Sequence, residues 1–125
     1  KAVTYVSADD AILNADNIFQ SMIELKGKNL IDPAWNKLYK LSFIRDSGIT
    51  MPEGEFYEDT AFNLALIGLK PKIAVCKECF YHYVLHMGSI TRRYNKEKLP
   101  LIKDRARLLK KVTSGIEDYC DFYFI

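Results

Sequence analysis

Apolar side chains behind Ser7 recur at three- and four-residue spacing, which is typical of a helix with one buried face. The pattern predicts that Ser7 caps this helix, with Asp9 and Asp10 in the first turn, where the helix dipole favours acidic groups. The residues predicted to face the core are Ile12, Ala15, Ile18, Phe19, Met22 and Ile23. Residues 26–29 end the helix, and residues 2–6 predict a short strand before it.

The rest of the chain alternates between helical and strand-like patterns. Residues 33–39 have no clean period, residues 41–46 predict a short helix that ends at Ser47-Gly48, and residues 58–69 predict a longer one. Its apolar positions are Ala61, Leu64, Ala65, Ile67 and Gly68. Residues 72–76 and 79–85 predict two strands, residues 87–93 a loop, and Pro100 the first turn of a last helix. The sequence therefore predicts a mixed α/β fold.

Length, charge and cysteine content limit the class of protein. The chain has 125 residues with 49% hydrophobic and 27% charged residues, an ordinary composition for one globular domain. A net charge of +2 is too small to indicate nucleic-acid binding, and no apolar run reaches the roughly 18 residues of a membrane span. Three cysteines favour a reducing, cytoplasmic setting over a disulfide framework. Because the first residue is Lys1 and no leader precedes it, we expect a piece of a longer protein.

An acidic pair, Glu58-Asp59, lies where the Pro52-Glu53-Gly54 loop enters the predicted helix. Acidic first turns are common because they complement the helix dipole. The alternative is chemical: Asp59 is a general base that acts beside the loop and a neighbouring metal or carboxylate. Charge and spacing leave both interpretations open.

Four blocks in order resemble the second half of bacterial family-2 glycosyltransferases. They are Pro33-Ala34-Trp35-Asn36-Lys37-Leu38-Tyr39, Tyr57-Glu58-Asp59-Thr60, Tyr81-His82-Tyr83 and Gly88-Ser89-Ile90-Thr91-Arg92. Those enzymes are inverting hexosyltransferase-type enzymes of the GT-A fold, which use a nucleotide-sugar donor to build capsular, lipopolysaccharide and other cell-surface glycans. The resemblance covers residues 7–93 and implies that residues 1–93 form the acceptor-side part of such a fold.

The resemblance also implies residue roles. It makes Asp59 the catalytic base beside Glu58, and His86, or alternatively His82, a ligand of a divalent metal, Mg or Mn. Acceptor-binding residues would be Trp35, Asn36, Lys37 and Tyr57, since aromatic faces pack against sugar rings. Diphosphate-binding residues would be Ser89, Arg92 and Arg93.

The family's nucleotide-binding half, with its Asp-x-Asp metal site, is not found in this sequence. Asp9 and Asp10 do not follow an apolar strand end, so we interpret them as structural. We therefore expect a chain that is inactive alone and binds neither donor nor metal. An apolar surface left uncovered by the missing half could drive homodimerisation.

Two further patterns have alternatives. Zinc-binding residue types occur at Cys76, Cys79, His82 and His86. Residues three apart on a strand point to opposite faces, so we favour the interpretation that the cysteines fill space between strands.

Residues 94–125 predict a basic amphipathic helix. Its charges form a solvated face or, alternatively, make the chain a non-catalytic basic interaction module that binds an anionic membrane surface or a protein partner. No nucleic-acid module accompanies them.

Overall fold

The computed structural model describes residues 9–53 and 57–84, together with Pro100, Lys103 and Arg107. In these residues the elements are β1 (Ala11–Leu13), α1 (Ile18–Gly27), α2 (Leu41–Ser47), α3 (Glu58–Gly68) and β2 (Ile73–Val75). This mixture of helix and strand agrees with the predicted α/β class. Pro100, Lys103 and Arg107 are helical and exposed, as a helix from Pro100 predicts. The predicted strand at 2–6, the cap at Ser7 and the loop at 87–93 lie outside the described residues.

The two strands form an antiparallel sheet that joins the two ends of the described core. Ala11 pairs with Val75, and Leu13 pairs with Ile73. Just before β1, the Oδ1 atom of Asp10 accepts a hydrogen bond of 2.9 Å from a backbone N–H beyond β2, that of Lys77. Asp10 is therefore a structural residue, as we interpreted it, although it precedes a strand and not a helix.

The prediction that the first helix begins after Ser7 is wrong, because α1 begins at Ile18. Asn14 and Asn17 explain the difference: the Asn17 side chain accepts the Asn14 N–H at 2.8 Å, and the Asn14 carbonyl accepts the Ile18 N–H at 2.9 Å. Asparagine side chains compete with a helix for backbone groups in this way, and so form a turn. Ile12, predicted to be buried on the helix, lies on β1 and is 57% exposed.

The end of α1 agrees with the prediction and is a Schellman motif. Asn29 has the left-handed conformation, with φ of 57°. Its N–H bonds to the carbonyl of Lys26 at 2.9 Å, and the N–H of Leu30 bonds to the carbonyl of Leu25 at 2.8 Å. These bonds satisfy the last carbonyl groups of the helix and reverse the chain. The turn leads the chain into residues 32–39.

The core lies between α1, α3 and the sheet. Its buried side chains are Leu13, Ile18, Met22, Leu25, Ile31, Leu64 and Ile67. On α3 the buried residues are Thr60, Phe62, Asn63, Leu64, Leu66 and Ile67. This face is wider than the predicted one, since Ala61 and Ala65 are only half-buried and Gly68 is exposed. In the described part of the chain, no helix has the length and apolar character needed to cross a membrane.

Two strands were predicted after α3, and the prediction of the second, over residues 79–85, is wrong for residues 79–84, which the structure describes. Residues 79–84 form neither helix nor strand, and their side chains are exposed. Two of them, Tyr81 and Tyr83, pack their rings on Trp35 instead. Cys76 and Cys79 are exposed as well, so they do not fill space between strands.

Candidate functional site

The acidic pair lies in the first turn of α3, as predicted. Tyr57 precedes the helix in the left-handed conformation, with φ of 61°, and its carbonyl accepts the N–H of Ala61 at 3.0 Å. Glu58 and Asp59 are half-buried, and an Asp59 carboxylate oxygen accepts the N–H of Thr60 at 2.7 Å. A carboxylate here complements the helix dipole, while its partial exposure leaves it able to meet a ligand.

Residues 32–39, which we call the aromatic segment, lie opposite this helix end and are held by side-chain bonds in the absence of regular structure. Asp32 forms an ion pair with Lys26 on α1. The Asn36 amide donates to the carbonyl of Asn29 at 3.1 Å, which attaches the segment to the Schellman turn. The Lys37 ammonium donates to the carbonyl of Pro33 at 2.5 Å and to the Asn36 Oδ1 atom at 2.9 Å.

The charge of Asp59 influences two side chains of this segment. Burial lowers the pKa of Lys37 from 10.5 to about 8, and the negative charges of Asp32 and Asp59 oppose that shift. Burial also raises the pKa of Tyr39; the hydrogen bond to Asn63 opposes this and the charge of Asp59 adds to it. The negative charge of Asp59 therefore acts on both side chains.

Asn63 joins α3 to both sides of the aromatic segment. Its Oδ1 atom accepts the Tyr39 hydroxyl at 2.6 Å, and its Nδ2 atom donates to the Asp32 carbonyl at 2.8 Å. The side chain is buried, with 2% exposure. Phe62 supports the same contact, since its ring meets Tyr39 edge to face at a centroid distance of 5.7 Å.

Trp35 is packed against other aromatic side chains of the protein. Its ring stacks on Tyr81 at a centroid distance of 4.8 Å and on Tyr83 at 5.1 Å, with interplanar angles of 27° and 29°. Offset stacking of this kind stabilises the arrangement beyond the area it buries. Part of the ring surface that we predicted would meet a sugar is therefore occupied by tyrosine.

The structure describes only part of the predicted metal and diphosphate sites. His82 lies exposed in the segment after β2. The remaining predicted ligands lie outside the described residues: His86, Ser89, Arg92 and Arg93. Among the residues that the structure describes, no group of three or more His, Cys, Asp or Glu side chains could hold a metal ion.

The sequence assigned no role to four residues that build this site: Tyr39, Asn63, Tyr81 and Tyr83. A polar residue between Phe62 and Leu64 was a usable signal for Asn63, since a polar position inside the apolar face of a helix requires a buried partner. No local signal identifies which residue that partner is, because Tyr39 lies 24 positions away.

Comparisons with known proteins give one informative match. The chain is 31% identical over 93 residues to a Bacillus subtilis (strain 168) protein named "Putative glycosyltransferase EpsH". The alignment covers 69% of this chain and 27% of the relative's length. No family model matches the chain, and no solved structure matches it. The match supports a glycosyltransferase-like relation for this part of the chain.

Proposed function

We propose that the chain is the acceptor-side portion of a metal-dependent inverting glycosyltransferase, which transfers a sugar from a nucleotide-sugar donor to a glycan or lipid-linked acceptor. The 93-residue similarity to a protein named as a glycosyltransferase carries this proposal. Because the match spans 27% of that relative, a complete enzyme would contain a nucleotide-binding part outside this chain. The proposed location is the cytoplasm, at the inner face of the membrane if the acceptor is lipid-linked.

In this proposal Asp59 is the general base. Its carboxylate takes the proton of the acceptor hydroxyl while the hydroxyl oxygen attacks the anomeric carbon of the donor. The bond from that carbon to the diphosphate oxygen breaks on the opposite face, so the configuration inverts. The half-buried position of Asp59 at the start of α3, near Lys37 and Tyr39, supports this role. Glu58 supports the loop or tunes its neighbour.

The acceptor would lie between the start of α3 and the aromatic segment, where Trp35, Asn36, Lys37 and Tyr57 are the proposed binding residues. An ammonium group has three donors, and Lys37 uses two of them on Pro33 and Asn36. Lys37 therefore shapes the segment first and can give its remaining donor to an acceptor hydroxyl.

The donor diphosphate is assigned to Ser89, Arg92 and Arg93, and the two arginine cations would neutralise the leaving group. A divalent metal, Mg or Mn, remains part of the proposal, with His86 or alternatively His82 as its ligand. These assignments depend on the family resemblance alone, and no step of the mechanism above passes through the metal.

Asp59→Asn in the complete enzyme tests the proposal. The amide keeps the size of the side chain but cannot accept the proton, so we expect turnover to fall by about a hundred- to ten-thousand-fold, the usual contribution of a general base. Donor affinity should stay unchanged, because the carboxylate acts on the acceptor. Turnover and donor affinity are measured by steady-state kinetics and calorimetry.

Glu58→Gln is the matched control, since it changes the adjacent carboxylate in the same helix turn. We expect a smaller loss from it. An Asp59→Asn enzyme that keeps more than about a tenth of wild-type turnover would exclude Asp59 as the base. A dead Glu58→Gln enzyme beside an active Asp59→Asn enzyme would exchange the two roles.

A further inference from the structure

The Asn63 side chain on α3 forms hydrogen bonds to two points of the aromatic segment. The bonds reach the Asp32 carbonyl and the Tyr39 hydroxyl, seven positions apart. The segment between them contains Trp35, Asn36 and Lys37. Asn63 therefore holds this stretch at both ends.

Asn63 also shares a helix face with Asp59. The two residues are four positions apart on α3, so their side chains lie one above the other on the same side of the helix. The charge of Asp59 acts on Lys37 and Tyr39, which belong to the stretch that Asn63 holds. One rigid helix thus carries both the carboxylate and the group that fixes the opposing segment.

The burial of Asn63 makes this arrangement specific. At 2% exposure its amide cannot replace a lost partner with bulk water. A buried polar group without a partner is costly, so any other register of the segment against α3 is disfavoured. A hydrophobic residue at this position could pack equally well, but without hydrogen bonds it would not fix the register of the aromatic segment against α3.

We infer that Asn63 is a positioning residue, which sets the distance between Asp59 and the aromatic segment through its bonds to Asp32 and Tyr39. The inference deepens the proposed function and depends on it for its catalytic consequence. Its structural content is separate, since the contact between α3 and the segment exists whatever reaction takes place. Two experiments examine these two parts.

The first experiment uses Trp35, the single tryptophan of the chain, as a reporter inside the held segment. Asn63→Leu keeps the branched shape of the side chain but removes both hydrogen bonds. Leu64→Ala is the control, because Leu64 is fully buried on the same helix and its loss destabilises the core without touching the two bonds. We expect acrylamide to quench Trp35 more strongly in Asn63→Leu than in wild type, under conditions where both variants are folded by circular dichroism. Acrylamide should quench Trp35 in Leu64→Ala to the same extent as in wild type.

Equal quenching in wild type and Asn63→Leu would overturn the inference. If Asn63→Leu does not fold, Tyr39→Phe replaces it, since that change removes only the hydroxyl bonded to Asn63. Equal quenching in wild type and Tyr39→Phe would overturn the inference in the same way. This readout needs no enzymatic activity.

The second experiment measures kinetics in the complete enzyme. We expect Asn63→Leu to lower kcat/KM for the acceptor by about ten- to a hundredfold, the cost of misplacing a catalytic group by about an ångström. The KM for the donor should stay within error of wild type. Asn63→Asp gives a second test: its protonated form can make both bonds again, so its activity relative to wild type should recover as the pH falls.

The outcomes separate the two proposals. A wild-type enzyme without transfer activity would contradict the proposed function, and the Trp35 readout would still decide the role of Asn63. An active wild-type enzyme in which Asn63→Leu and Leu64→Ala show the same acceptor kinetics would overturn the positioning role alone.

Discussion

Lys37 is the residue in the described site whose protonation is most strongly changed by folding. Its ammonium is held by Pro33 and Asn36 in a half-buried position, and partial burial lowers its pKa to about 8. In the unfolded chain it would return to 10.5. Between these values the unfolded state binds more protons than the folded state, so this group makes the free energy of unfolding rise with pH.

Lys37→Met tests this linkage, because methionine is similar in length and carries no charge. We expect the stability of wild type relative to Lys37→Met to increase from pH 7 to pH 10, by at most about 3 kcal/mol at about 1.4 kcal/mol per pKa unit. The measurement is urea unfolding of both proteins at several pH values. The exposed Lys40 provides the control, since Lys40→Met removes a lysine that carries no burial cost. A difference that stays constant with pH would contradict the burial of a charged Lys37.

At the same scale, the sequence could nominate Asp59, Trp35 and Lys37 but could not say what they contact. Lys37 was predicted to meet the acceptor, yet two of its donors serve the aromatic segment. Trp35 was predicted to meet a sugar, yet its ring stacks on two tyrosines. Such contacts join residues far apart in sequence, and a local pattern has no information on them.

At the scale of elements, the bounds of the three helices were predicted to within about a residue, except for the beginning of α1. Residues that favour left-handed backbone, such as Asn29 and Gly48, stop helices at the expected places. The beginning of α1 was predicted wrongly because Asn14 and Asn17 form a turn. The helix therefore begins after this turn, although the helical spacing of apolar residues begins before it. The missed strand β1 has three residues, too few for an alternating pattern to identify.

Two glycines near helix ends give an element-scale prediction with opposite signs. Gly48 ends α2 with φ of 65°, and Gly27 is the last residue of α1; an added Cβ atom would meet nothing within 4 Å at either position. Gly48→Ala should therefore destabilise by about 1–2 kcal/mol, the cost of left-handed backbone with a side chain. Gly27→Ala should stabilise by up to about 1 kcal/mol through helix propensity and unfolded-state entropy.

Chemical denaturation of both variants beside wild type checks this pair. The two substitutions are chemically identical, so their difference isolates backbone conformation. A stabilising Gly48→Ala would mean that α2 does not end in left-handed backbone.

For the whole molecule, the class of fold followed from the sequence and the arrangement did not. Alternating helical and apolar runs predicted a mixed α/β chain, but the pairing of β1 with β2 joins residues 60 or more positions apart. Tyr81 and Tyr83 also have a distant partner. A strand-like pattern predicted them in a sheet, but they pack on Trp35. Tertiary partners decide between these outcomes for an apolar segment that is short.

The described surface also leads to a prediction about the whole chain in solution. Several large apolar side chains are exposed, and Leu38 at 103%, Phe80 at 79% and Val84 at 66% are the most exposed of them. Association that buries such side chains is driven by the hydrophobic effect, which weakens on cooling and does not depend on attraction between charges. We therefore expect this chain to self-associate as its concentration rises, more at 25 °C than at 5 °C, and to the same extent in low and moderate salt.

Sedimentation equilibrium of wild type and of the double variant Leu38→Ser, Phe80→Ser tests this expectation. Because each serine removes an exposed apolar side chain and leaves the core untouched, the variant should stay closer to monomeric mass at every concentration, with unchanged thermal stability. Lys40→Ser is the matched control for a surface change beside Leu38. If self-association is abolished by salt and unaffected by the two serines, it involves charges, and the exposed apolar side chains do not drive it.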